Sequence, residues 1–184
     1  PKTQTAINLM ALGFGGMHTQ RWENSSLSVE GGYYNLGPYF KVQKQRTEWD
    51  KAPESFEASA NFRYKTSETG LLKAFTSFSY GDLSLRFSNL DSLSQKDFFY
   101  QKSSNFFANT NYHDILWDDW TLFAGYSVGV DNEDDEINTD LANKDDIFHT
   151  GKVTVTKNLF SNSFITFGGE IQNLDHTSSF NELK

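Results

Sequence analysis

Eight carboxylates crowd the stretch from 131 to 146: Asp131, Glu133, Asp134, Asp135, Glu136, Asp140, Asp145 and Asp146, with Lys144 the one cation among them. Hard oxygen ligands at that density suit Ca²⁺. The EF-hand order fails, because Glu136 stands where the loop glycine belongs. The plainer expectation is a solvated acidic loop. Four histidines (His18, His113, His149, His176) are scattered, and none has a metal-ligand partner at close spacing. His149 falls on an apolar alternation, which suits an interfacial position better than a catalytic one. No Gly-x-Ser-x-Gly, phosphate loop or HExxH occurs. Glu57 and Glu170 sit in separate runs, so nothing pairs them as acid and base. These residues predict no enzyme, and no catalytic, cofactor-binding or metal-binding residue.

The elements that would carry these groups have period two. From Phe148 to Gln172, Val153 and Val155 alternate with Lys152, Thr154 and Thr156. After the break at Asn158–Asn162, Ile165, Phe167 and Ile171 alternate with Thr166, Gly168, Glu170 and Gln172. Such alternation marks a strand with one apolar and one polar face, and two such runs make an antiparallel hairpin. The unit recurs. Leu27, Val29, Gly31 and Tyr33 form one stripe, and Phe56, Ala58, Ala60, Phe62 and Tyr64 form the clearest. Leu72, Ala74, Thr76, Phe78 and Tyr80 make the next. Then come Phe106, Ala108, Thr110 and Tyr112, followed by Trp120, Leu122, Ala124, Tyr126, Val128 and Val130. An earlier weak run, Thr5 to Met10, continues through a glycine-rich stretch. At Gly81-Asp82 the apolar parity slips by one. A β-bulge gives that slip; a two-residue turn is the other reading.

The count is about eight strands. Short turns are predicted at Trp22–Ser25, Ser67–Gly70, Leu116–Asp119 and Asn158–Asn162. Long loops are predicted near Arg46–Ser55, Asn89–Ser103 and Asp131–Asp146, with a structureless end from Asp175. Alternating short and long connections put all long loops on one rim, as in outer-membrane barrels. The charges Glu57, Arg63, Lys73, Arg86, Lys152 and Glu170 are predicted opposite apolar stripes. In lipid they would face a wet or protein-filled lumen. Tyr64, Trp117, Trp120 and Phe160 lie near turns and suit an aromatic girdle. Phe98-Phe99-Tyr100 is expected on a long loop, packed onto a barrel mouth or touching a ligand.

Composition bounds the partners. The chain has 184 residues, 16% aromatic, with a net charge of −8 and no cysteine. Mean hydropathy is −0.59. No run approaches the roughly 18–20 apolar residues of a spanning helix. Many aromatics at low hydropathy fit strands whose averaging hides an apolar face. No basic patch points to nucleic acid. Disulfides and thiolate metal sites are excluded.

Several stretches resemble the barrel domain of TonB-dependent outer-membrane receptors of the Bacteroidetes type. They are Trp22-Glu23-Asn24-Ser25-Ser26-Leu27, Tyr34-Asn35-Leu36-Gly37-Pro38-Tyr39-Phe40, Glu48-Trp49-Asp50-Lys51-Ala52-Pro53-Glu54-Ser55, Gly70-Leu71-Leu72-Lys73 and Glu136-Ile137-Asn138-Thr139-Asp140. The resemblance implies an antiparallel transmembrane β-barrel wall, with residues 1–184 a single segment of a 22-stranded barrel. It also implies a bacterial outer-membrane location and import of a nutrient ligand. The implied partners are the bilayer, the rest of the barrel and its plug, TonB and a surface lipoprotein. No plug or TonB-contacting box occurs in the chain, so a middle section of a longer protein is expected. Two other architectures fit the alternation: a complete eight-stranded outer-membrane protein with a structural or adhesive role, and a soluble β-sandwich that binds carbohydrate or protein.

Overall fold

A computed structural model describes residues 2–45, 47–88, 95–117, 120–160 and 163–182. These residues form one sheet of nine strands, each hydrogen-bonded antiparallel to the next in chain order. The strands are β1 (Thr3–Met10), β2 (Gly13–Arg21), β3 (Ser25–Asn35), β4 (Glu48–Lys65) and β5 (Leu71–Ser88). They continue with β6 (Lys96–Ile115), β7 (Trp120–Ile137), β8 (Asp140–Phe160) and β9 (Ser163–Glu182). One short helix, α1 (Gly37–Val42), starts with Pro38 in its first turn and joins β3 to β4. The sheet is open: among the described residues β1 and β9 pair with nothing on their outer sides.

The ninth strand comes from the first glycine-rich stretch. Thr3 to Arg21 is a hairpin turning at Ala11-Leu12, not one continuous run. The other strands are longer than their apolar stripes. β4 begins at Glu48, so most of the expected loop up to Ser55 is strand. β6 begins at Lys96, which puts Phe98-Phe99-Tyr100 in a strand as well; residues 89–94 of that expected loop lie outside the described residues. The acidic stretch is no loop either. β7 and β8 pair from Asp131↔Asp146 out to Ile137↔Asp140, and the chain reverses at Asn138-Thr139. Asn138 takes a positive φ of 56°, which asparagine tolerates better than most residues. β9 runs on through Asp175 to Glu182, so the expected structureless end is strand that far, and Leu183-Lys184 lie outside the described residues. Arg46, Asp118-Asp119 and Ser161-Asn162, all placed in loops or turns by sequence, lie outside the described residues.

The predicted bulge moves to the neighbouring strand. β5 is continuous through Gly81-Asp82, and its register with β6 is unbroken from Leu71↔His113 to Ser88↔Lys96. Register shifts occur between Asn158 and Phe160 of β8 and, on β4, between Trp49 and Lys51 and again between Lys51 and Glu54, next to Pro53. Proline cannot donate to a ladder, so an irregularity there has a local cause.

No second layer faces the sheet among the described residues. Among the described residues no apolar side chain is buried, and the buried polar ones are Thr19, Asp82 and Ser84. A soluble domain covers its apolar sheet face with helices or another sheet. The two packed sheets of a sandwich are not what these residues build.

Candidate functional site

Residues directly opposite in an antiparallel pair point to the same side of the sheet. The pairing therefore sorts every strand residue onto one of two faces. One face collects the predicted stripes: Leu27 faces Phe62, Phe62 faces Ala74, Phe78 faces Phe106, and Val130 faces Ile147. Its large apolar side chains are exposed, with Ile7 at 74%, Phe167 at 60% and Ile171 at 75%. They make a continuous apolar band over all nine strands.

The band runs obliquely. One register row starts at polar Thr3 and passes through Gln20, Leu27, Phe62, Ala74, Thr110, Tyr126 and Gly151 to apolar Ile171. A second starts at apolar Ile7 and ends at charged Asp175, by way of Gly16, Gly31, Ala58, Phe78, Phe106, Val130 and Ile147. Apolar positions thus climb by about one residue per strand; at about 3.3 Å along a strand for 4.8 Å across, the strands tilt by about 35° from the band's normal. On β4 the band spans Phe56 to Tyr64. That is about 26 Å along the strand and about 22 Å tall after tilt.

Polar atoms inside the band are satisfied within the protein. Thr76 Oγ1 donates to the Phe107 carbonyl at 3.1 Å, and Thr110 Oγ1 to the Lys73 carbonyl at 3.3 Å. Tyr126 and His149 share a hydrogen bond at 2.7 Å between the hydroxyl and Nδ1, with the rings stacked at 6.1 Å. His18 is held likewise by Thr5 at 2.8 Å. Hydrocarbon offers no partner, so polar side chains survive against it only when paired this way. Aromatics flank the band. Tyr64, Tyr112 and Trp120 lie toward the turn rim, where Lys157 sits 5.7 Å over the Trp120 ring. Trp117 and Phe160 stand nearby, 72% and 78% exposed. Tyr33, Phe56 and Tyr80 mark the other margin.

The opposite face is polar, and it carries Glu57, Arg63, Lys73, Lys152 and Glu170 as the sequence predicts. Arg86 is a correction. Because β5 keeps its parity, Arg86 lies on the same side as the band, beyond its end, paired to Asp50 at 2.8 Å and over the Phe98 ring at 5.6 Å. Charge on the polar face is sorted by height. One row runs Arg21, Ser26, Arg63, Lys73, Asn111, Gly125, Lys152 and ends at Glu170. Another runs Glu57, Ser79, Asn105, Asp131, Asp146 and His176. The two rows stand about 20 Å apart along the strands. A phenylalanine diagonal lies between them. Phe75 meets Phe107 at 6.1 Å and Phe107 meets Phe148 at 6.2 Å. Gly129 makes the second contact possible, because a Cβ there would fall 2.0 Å from the Phe148 ring.

Past the band the polarity inverts. On the band side stand Glu54, Asp82, Lys102 and Asp134. On the other side an apolar row joins Trp49, Leu85, Phe99 and Ile137, and Phe40 of α1 stacks on Trp49 at 5.3 Å. This inversion, not a bulge, is what shifts the apolar parity of Leu83, Leu85 and Phe87. The Phe98-Phe99-Tyr100 cluster divides between the faces accordingly. Lys51 ties the region together, reaching Asp82 at 2.5 Å and Glu54 at 2.7 Å. Tyr33 donates to Glu54 at 3.0 Å, and Tyr80 to Asp82 at 2.9 Å. The Lys51 ammonium, and then the Tyr33 hydroxyl, hold the Glu54 carboxyl below its ordinary range; Asp82, then Glu54, raise Lys51.

The acidic hairpin does not gather a metal site. Alternation sends Asp131, Glu133 and Asp135 to the polar side and Asp134 and Glu136 to the other. Asp146 is engaged by Lys144 at 3.0 Å and by His176. Among the described residues no three acidic, histidine or cysteine side chains come together as ligands. Burial, with Glu133 and Asp134 nearby, pushes the Asp135 carboxyl up. Neither the charge rows nor the obliquity of the band is visible without the register. Compared with known proteins, the chain matches no family profile and no curated protein.

Proposed function

We propose that this sheet is part of the wall of a transmembrane β-barrel, with the oblique band against lipid and the polar face toward a wet or protein-filled lumen. The obliquity carries the reading. Strands of membrane barrels tilt by about 35–45° and wear an apolar belt about 25 Å tall. A soluble sheet packed on a core needs no such relation between register and polarity. Paired polar atoms within the band and aromatics at both margins support the same assignment.

The parity of the sheet favours a larger barrel over a small complete one. With nine antiparallel strands, β1 and β9 run in the same direction. Direct closure would join them in parallel, whereas bacterial outer-membrane barrels close with even, antiparallel strands. On the resemblance above, the parent is a TonB-dependent transporter of the outer membrane. Its barrel encloses a plug, and a nutrient ligand bound outside passes inward when the plug is displaced. These residues then act passively: the band holds the bilayer, the polar face lines the path, and the strand extensions meet the outside.

The test is electrophoresis of the native protein from outer-membrane fractions, with and without boiling. A heat-modifiable band several times heavier than 21.0 kDa is expected. A heat-modifiable band near 21.0 kDa would replace the transporter with a small barrel. A chain that stays monomeric in buffer without detergent would end the membrane reading.

A further inference from the structure

The middle of the basic row on the polar face has an unusual arrangement. Arg63 and Lys73 stand directly opposite each other on β4 and β5. Like charges in that relation repel. Another cation of the row, three strands on, is compensated, since Lys152 pairs with Glu170 at 3.2 Å. Arg63 and Lys73 have no carboxylate partner among the described residues.

What surrounds them are amides. A shallow cavity of about 360 Å³ is lined by Arg63, Lys73, Asn61, Asn109, Asn111 and Phe75. Asn111 donates to the Asn109 side chain at 3.1 Å, and Asn109 donates to the Tyr126 carbonyl at 3.4 Å. The chain of bonds fixes both amides, and Asn111 keeps a second N–H to offer. A planar guanidinium, a point-charge ammonium and amide donors around one cavity are the groups that recognise an oxyanion. On the same face Glu30, which accepts from Ser59 at 2.9 Å, lies about 13 Å away along the strands, and the row of Glu57 about 20 Å away; both are beyond the roughly 8 Å over which charge acts through salt water.

We propose that the Arg63–Lys73 pair is an oxyanion-binding site on the polar face, taking a phosphate or carboxylate group from solution. An anion between the two cations converts repulsion into a pair of charge-assisted hydrogen bonds. The site needs only a wet polar face, so it stands whether that face lines a barrel lumen or meets bulk solvent.

The experiment is thermal unfolding of the folded chain, in detergent micelles or in plain buffer if it folds there, in chloride, inorganic phosphate and acetate at matched ionic strength. Phosphate is expected to raise the wild-type midpoint by about 3 °C over chloride. Lys73→Gln should abolish that rise and unfold later than wild type in chloride, while Lys152→Gln keeps the rise. A rise with acetate as well assigns carboxylate-bearing ligands; a rise with phosphate alone assigns phosphate-bearing ones. No rise in the wild type, or an equal rise in Lys73→Gln, overturns the site. If Lys73→Gln fails to fold, the phosphorus resonance of phosphate titrated with wild-type protein decides. Broadening that sulfate reverses supports the site, and an unbroadened line refutes it.

Discussion

The same strands lead two different lives. Toward the turn rim, β4 to β8 show an apolar side, a polar side, unbroken register among themselves and polar atoms tied to other groups of the protein; among the described residues the one irregularity there is between Asn158 and Phe160 of β8, against β9. Past Glu54 and Asp82 those strands continue as sheet, but the sides exchange character, β4 loses register twice, and ion pairs such as Lys51–Asp82 and Arg86–Asp50 appear. The hydrogen-bond ladder is common to both halves. On the membrane reading proposed above, what changes is the medium each face is built to meet. A ladder sets where side chains point, and the solvent sets which side chains are tolerated there.

The comparison breaks most sharply at the band's centre. Ala60→Arg should destabilise the protein by about 2–4 kcal/mol in lipid vesicles, whereas Ser59→Arg on the polar side should cost under about 1 kcal/mol. Urea unfolding of both variants measures it, and equal costs would erase the distinction between faces. Next comes the close approach on the polar side. Gly129→Ala places a methyl where the Phe148 ring lies, and about 1–3 kcal/mol should be lost. Phe148→Ala in the same background should recover part of that loss.

The extension should respond to pH while the band does not. Glu54 has its carboxyl lowered by Lys51, so its contribution is present above the unfolded value of about 4.3 and disappears as pH falls through the folded value. Hydrogen-exchange protection factors in β4 near Glu54 should therefore be steady at neutral pH and fall once the pH drops below the unfolded carboxyl value of about 4.3. Glu54→Gln should remove the pH response; protection that falls equally near Ala60 would contradict the division. The smallest effect lies at the turn rim. Lys157→Met removes the cation over Trp120 and should cost about 0.5–1 kcal/mol, read from the unfolding midpoint followed by tryptophan emission.

Much of the band was legible in the sequence because period two survives wherever one face is apolar. The stripes Phe56–Tyr64 and Trp120–Val130 fall on the band as their alternation implies. The extensions were not legible, for a physical reason. Asp131–Ile137 carries acids at successive positions, on both faces of β7, so no alternation survives there and the stretch passes for a loop. The parity of Leu83, Leu85 and Phe87 misled in a related way: an exchange of polarity between the faces of one continuous strand leaves the trace of a bulge. Ala11-Leu12 lacks the usual turn residues, so the β1–β2 hairpin was hidden. The basic and acidic rows are built from residues far apart in sequence, and only the pairing brings Arg63 beside Lys73.

The central claim is that the band's tilt across the register is the tilt of strands in a bilayer. Nitroxide labels placed singly along one register row, at Thr3, Leu27, Ala74, Thr110 and Ile171, test it through collision with oxygen and with a water-soluble nickel chelate. The account predicts chelate contact at Thr3 giving way to oxygen contact by Leu27 and staying so to Ile171, while a row on the polar face stays accessible to chelate throughout. Uniform chelate access at all five positions would contradict it and leave the sheet outside the membrane.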